Sequence, residues 1–150
     1  FDELKMTLEK YTDFGERYVK QMTESLRHES KRKAFETTQE IRDRARDQWI
    51  NDKKLAVIFQ ALRIHINDEL DQLHVFLEKF TAYLAPWWRC AIITYHSGED
   101  RIVKNAFKDL ESKWKGTVLT KKVIKPNYKE VKKNRAARSA KMRVFERRSE

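Results

Sequence analysis

The chain has 150 residues, enough for one ordinary domain or one and a half small ones, and only 40% of them are hydrophobic against 37% charged, so any core is thin. One cysteine, Cys90, excludes a disulfide framework and any cysteine-based zinc site, and the absence of an eighteen-residue apolar run predicts no transmembrane helix. The net charge is +10, and residues 117–150 carry twelve Lys/Arg against three acids, so nearly all the excess lies in the last quarter of the chain. A basic segment beside a neutral body points to a polyanion, nucleic acid first, although a solvated tail has the same composition.

Residues 2–29 read as helix, with Leu4, Leu8 and Tyr11, then Tyr18, Met22 and Leu26, at helical spacing and Gly15 as a bend or break. The start shows neither a basic region nor an apolar h-region, so no signal peptide is expected, and the initial Phe1 hints at residues before it. The polar run after Leu26 suits a connection. Thr37-Thr38-Gln39-Glu40 has the form of a capping box, opening a helix to about Trp49 whose Arg/Asp alternation is solvated or faces a charged partner. Residues 51–54 read as a loop.

Phe59, Leu62, Ile66, Leu70, Leu73, Leu77, Phe80 and Leu84 step by 3, 4, 4, 3, 4, 3 and 4, one face of a helix ended by Pro86. Val57, Ile58, Val75, Phe76 and Tyr83 widen that stripe beyond a coiled-coil seam, so the helix is expected to pack on a sheet. Arg89 to Tyr95 reads as a buried strand, His96-Ser97-Gly98 as a turn, and Glu99 to Lys113 as a helix with Trp114 on its apolar side. Val118 to Ile124 is a further strand, Tyr128 to Lys133 irregular or a short helix, and Ala140 to Glu146 a last strand free to pair antiparallel. Helix, strand, turn, helix is an α/β signature.

The stretch from Ile93 to Lys104 concentrates chemistry where a strand turns into a helix, the place where open α/β sheets bind ligands. His96, Ser97, Glu99 and Asp100 can each accept a hydrogen bond there. The plainer reading gives Ser97 a capping role, puts Glu99 and Asp100 at the helix dipole and pairs Arg101 with an acid. His65 and His74 do not share a helix face, which argues against a metal. Trp87 and Trp88 suit base stacking, a protein partner or plain packing alike.

Three ordered stretches carry a resemblance: Phe59-Gln60-Ala61-Leu62-Arg63-Ile64 with Asn67-Asp68-Glu69-Leu70; Leu84-Ala85-Pro86 with Ile93 to Lys104; and Leu119 to Pro126 running into Asn134-Arg135-Ala136-Ala137-Arg138-Ser139-Ala140-Lys141-Met142-Arg143. Together they resemble the small-subunit rRNA cytosine-N4 methyltransferases of bacteria and mitochondria, the MraW or RsmH type. The resemblance implies an α/β fold: the C-terminal half of a class I, Rossmann-like methyltransferase sheet, mostly parallel, from residue 56 onward, with a helical inserted domain over residues 1–55. It implies methyl transfer from S-adenosylmethionine to N4 of a cytidine in small-subunit ribosomal RNA, in a mitochondrial matrix or a bacterial cytoplasm, the former favoured. His96 and Ser97 are the candidates for the substrate pocket. Arg63, Asn67, Arg101, Lys132, Lys133, Arg135, Arg138, Lys141 and Arg143 are the candidates for RNA contact. Ribosomal or assembly-factor proteins are the expected partners, with no membrane and no metal.

The chain departs from the pattern in four places, one of them Gly98, where the pattern has Leu before Glu99. Its glycines are Gly15, Gly98 and Gly116, so the glycine-rich cofactor loop is missing. The pattern's Gly-Gly after Pro86 is Trp87-Trp88, and its approach to the long helix is replaced by Lys53 to Val57. Two large rings fit a glycine turn at a cost, so the turn is expected to be rebuilt. An enzyme and a catalytically inactive relative that serves in ribosome assembly both remain open, with a generic RNA-binding helical module behind them.

Overall fold

The computed structural model describes residues 2–47 and 50–149 and divides the chain into two compact units, residues 1–69 and 70–150. The expected helix end at Trp49 lies outside the described residues.

The first unit is helical. α1 (Asp2–Tyr11) and α2 (Glu16–Arg32) replace the single expected helix. The chain breaks between them where the Thr12 hydroxyl caps back onto the Leu8 carbonyl at 2.6 Å and Gly15 takes extended backbone as the N-cap of α2. The polar run beyond Leu26, expected to be a connection, stays helical to Arg32, because Glu29 draws in Arg32 and Arg44 at 3.8 and 3.3 Å. α3 (Thr38–Asp47) opens on the expected capping box: Thr37 Oγ1 accepts from the Glu40 amide, and the Glu40 carboxylate accepts from the amides of Glu36 and Thr37. With the Lys33 ammonium also bonded to it, Glu40 is held down at a pKa of about 2. The charged face of α3 is satisfied within the unit, since Arg46 grips Asp52 with both prongs at 3.0–3.1 Å.

The long helix is two helices. α4 (Asp52–Ile66) begins earlier than expected, because Asn51 caps it through a 2.9 Å bond from the Lys54 amide, so residues 52–54 are its first turn and not a loop. It ends at Asn67, and Asp68 takes φ 50°, a left-handed turn that hydrophobic periodicity does not register. α5 (Glu69–Tyr83) follows. Within the first unit α4 packs on helices, where Leu55, Ile58 and Ala61 join Leu8, Val19 and Met22 in the helical core.

The second unit has α5 packed on a three-stranded sheet of β1 (Arg89–Thr94), β2 (Gly116–Val118) and β3 (Lys141–Arg147), in the order β1-β3-β2. β3 pairs antiparallel with both neighbours, so every paired ladder described is antiparallel, while β1 and β2 run the same way and are joined through α6 (Ser97–Ser112). β3 alternates as expected, with Arg143 and Phe145 buried on one face. Phe145, Phe107, Phe80, Leu77 and Val103 form the core, the three rings packed at 5.3–5.9 Å. Each fully buried side chain of this kind is worth about 1.5–3 kcal/mol.

β1 is half-exposed rather than buried: Ile93 is exposed, while Cys90 and Ile92 pack on the core. The expected strand from Val118 to Ile124 is a short strand beginning at Gly116, then an irregular stretch. Thr120 spends its hydroxyl accepting from the Val144 amide, and only Ile124 returns to bridge Met142. Trp114 is not on the apolar side of α6. The helix ends at Ser112, and Trp114 turns out to solvent at φ 60°. The Trp87-Trp88 turn does not avoid the left-handed region despite its two large rings, since Trp87 takes φ 68°.

Candidate functional site

The carboxyl end of β1 runs directly into α6, and the junction is tied by a capping box with a histidine at its head. His96 Nδ1 accepts from the Glu99 amide at 3.3 Å, and Glu99 Oε2 accepts from the amides of Tyr95 and His96 at 2.9 and 3.3 Å. With Nδ1 accepting, a neutral ring carries its proton on Nε2. That nitrogen is buried, and although it lies 3.0 Å from Glu99 Oε1 it is not placed for a hydrogen bond. The cap is His96 and not Ser97, whose side chain is exposed as the first residue of α6.

Asp100 is committed as well. Its oxygens take Arg143 Nε at 2.7 Å and Nη2 at 3.2 Å, and Lys141 Nζ lies 3.8 Å away. The Arg143 bonds hold the Asp100 carboxyl below its ordinary range against the opposing effect of desolvation. Arg143 is therefore corrected out of the phosphate-binding set: it is 8% exposed and points into the sheet–helix layer. Arg101, expected to pair with an acid, is exposed, and the pairing belongs to Arg143. Of the four expected acceptors, Glu99 and Asp100 are spent within the fold, His96 caps, and Ser97 is presented outward.

The basic segment is built differently. Lys121, Lys122, Lys125, Lys129, Lys132, Lys133, Arg135 and Arg138 are all exposed, and among the described residues none lies within ion-pair distance of a carboxylate. The backbone beneath them is held. Asn127 caps α7 (Tyr128–Lys133) through the Glu130 amide at 2.9 Å, and Asn134 caps the tight turn Arg135–Ser139 through the Ala136 amide at 3.1 Å. Ala137 is buried and pins that turn against the protein. Unpaired cations on a pinned backbone are what a phosphate chain requires. Lys141, at the start of β3, is less exposed and close to Asp100.

Arg63 and Asn67 lie in the first unit. Arg63 makes a two-pronged pair with Glu69 at 2.8 and 3.2 Å, and Asn67 is the C-cap of α4 with its amide toward the same carboxylate at 3.4 Å. The sequence reading missed Trp114 and Arg148, a cation over a ring at 5.5 Å; only the bulk of Trp114 beside Gly116 was a signal. Burial pushes the Cys90 thiol up, which suits a packing role. Among the described residues no group of His, Cys, Asp and Glu is arranged to hold a metal, and no helix is long and apolar enough to cross a membrane.

The chain matches the MraW methylase family over residues 2–148. It is 44% identical over 133 residues to the ribosomal RNA small subunit methyltransferase H of Coprothermobacter proteolyticus, covering 87% of this chain and 44% of that protein. It is 38% identical over 146 residues to the protein of that name from Chlamydia caviae, covering 93% and 49%. A third, from Chlamydia felis, is 50% identical over 95 residues, covering 63% and 32%. The chain thus spans between a third and a half of the length of these relatives. All three are bacterial, so the mitochondrial expectation finds no support among them.

Proposed function

This chain belongs to the MraW methylase family, and on that premise we propose that it is the RNA-gripping portion of an rRNA methyltransferase acting on small-subunit ribosomal RNA in a bacterial cytoplasm. In this reading the reaction is methyl transfer from S-adenosylmethionine to N4 of a cytidine. The segment from Lys121 to Lys141 holds the phosphate chain, and the turn at His96 and Ser97 forms one rim of the base pocket. The carrying observation is the row of eight exposed cations that have no carboxylate partner among the described residues and stand on a capped and pinned backbone. The order β1-β3-β2, with β1 and β2 aligned and joined through a helix, supports reading the second unit as the closing strands of a larger sheet. The helices before it would be the inserted domain.

The donor fits these residues poorly. The carboxylates at the turn are already bonded within the fold, and Gly98, the one glycine there, sits inside α6 in ordinary helical backbone, with the His96 ring 3.1 Å from where its Cβ would be. Isothermal calorimetry of the chain with S-adenosylmethionine, beside filter binding with small-subunit RNA, tests this division of labour. RNA binding without donor binding is expected, and failure to bind the RNA would end the reading.

The second reading, a relative without catalysis that serves in ribosome assembly, is favoured by the same commitment of His96, Glu99 and Asp100 to capping and pairing. Labelled methyl transfer to small-subunit particles by the full-length protein separates the two.

A further inference from the structure

Residues 115–144 contain one aromatic residue, Tyr128. It falls inside the basic segment, with Lys121, Lys122 and Lys125 before it and Lys129, Lys132, Lys133, Arg135 and Arg138 after it. Its ring is 80% exposed. A lone exposed ring is ordinary on a protein surface. The surroundings of this one are not.

The backbone under Tyr128 is fixed on both sides. Upstream, the Ile124 amide donates to the Met142 carbonyl at 3.1 Å and the Met142 amide to the Ile124 carbonyl at 2.8 Å, which ties the chain to β3. Tyr128 opens α7, whose first turn is closed by Asn127. The Asn127 carbonyl accepts from the Val131 amide at 3.1 Å and its side chain from the Glu130 amide at 2.9 Å. Downstream, the Asn134 amide donates to the Glu130 carbonyl at 2.7 Å, and the buried Ala137 follows. A tyrosine ring has few torsions to lose, and on a held backbone it is ready for contact.

Helical geometry sorts the neighbours. Lys132, four residues on, shares a face with Tyr128 one turn away. Glu130 is the one acid of residues 117–145. It lies about 200° around the helix from Tyr128, on the opposite side. Lys125, Lys129 and Lys132 are exposed, and among the described residues none lies within ion-pair distance of a carboxylate. The side of α7 that presents the ring therefore presents positive charge and no acid.

We propose that Tyr128 is a base-stacking platform through which the basic segment takes up unpaired RNA, one base lying on the ring while Lys125, Lys129 and Lys132 meet the phosphates beside it. Cations alone attract any phosphate chain, single or double. A flat exposed ring adds binding only where a base is free of its own stack, and it does so whatever the base. A duplex keeps its bases inside, so the ring turns a general polyanion surface into one that prefers single strands. An apolar protein patch seated on the ring would cover these lysines without giving them partners. The inference rests on the reading that this segment holds ribosomal RNA, and names the form of RNA it holds.

The test is anisotropy of a labelled ten-nucleotide oligouridylate, and of a duplex RNA of equal length, titrated with the full chain at several salt concentrations. The variants are Tyr128→Ala, Tyr128→Phe, and Arg135→Glu with Arg138→Glu. Alanine forms helix better than tyrosine, so the thermal midpoint of Tyr128→Ala should match or exceed the parent's. Its single-strand Kd should weaken about tenfold, with the salt slope unchanged because a ring releases no counterions. Tyr128→Phe should keep the parent affinity, and neither Tyr128 variant should alter duplex binding. Parent affinity in Tyr128→Ala would overturn the proposal, and would also be the result if the ring docks a protein. If the Arg135/Arg138 variant then still loses RNA, the ribosomal RNA reading stands without it. A loss in Tyr128→Phe as large as in Tyr128→Ala would assign the effect to the hydroxyl and overturn stacking, as would an equal loss on duplex. No oligonucleotide binding by the parent chain overturns the proposal outright.

Discussion

Arg143 on β3 and Asp100 in the first turn of α6 form a two-pronged ion pair, with side chains only 10 and 15% exposed. The pair ties the strand at the centre of the sheet to the helix that begins at the candidate site. Removing one partner leaves a largely buried charge. Asp100→Asn or Arg143→Met is therefore expected to lower unfolding free energy by about 3 kcal/mol, read by urea denaturation. In a double-mutant cycle the two losses should not add.

The same pair sets an acid dependence. Asp100 is held below its ordinary range in the folded chain, chiefly by the Arg143 bonds, so below that range the unfolded chain binds the extra proton. Its stabilisation is complete above the ordinary Asp value of about 3.9 and is lost as pH falls through the lower folded value. Denaturation from pH 6 to pH 2 should show stability falling on the acid side, with a shallower fall in Asp100→Asn. Glu40, at about 2, adds to the slope in parent and variant alike.

His96 caps α6, and capping is separable from chemistry. His96→Ala should cost about 1 kcal/mol, and His96→Asn, whose side-chain oxygen also caps, should recover most of it. If the ring also meets substrate, His96→Asn in the full-length enzyme will be nearly as stable as the parent and poor in methyl transfer. Parent-level transfer by that variant would leave His96 a cap alone.

Gly116 is where β2 crosses closest to the core. A Cβ there would sit 2.2 Å from the Phe145 ring and 2.3 Å from the Glu146 carbonyl. Gly116→Ala is expected to cost about 3 kcal/mol, because the ring is fully buried and the other contact is backbone. A thermal midpoint within a degree of the parent would contradict the packing described for Phe145.

Much of this was legible in local pattern. The capping box at Thr37, the alternation that buries Arg143 and Phe145, the helix after His96 and the antiparallel last strand all follow from spacing. What escaped depends on backbone torsion or a distant partner. The left-handed Asp68 divides a stripe of unbroken helical period, and Thr120 ends a strand by bonding across it. Arg143 looked like one more cation in a basic run until the fold brought Asp100 to it. At the site, residue types singled out the turn, while the fold decided that Glu99 and Asp100 are spent on structure.

The central claim is that the segment from Lys121 to Lys141 holds ribosomal RNA through its phosphates. Its most direct test is the salt dependence of small-subunit RNA binding by the full chain and by Arg135→Glu with Arg138→Glu. Each phosphate contact contributes about −0.7 to the slope of log affinity against log salt on single-stranded RNA. The double variant should therefore bind more weakly at physiological salt, with a slope shallower by about 1.4. The same affinity and the same slope in parent and variant would contradict the claim.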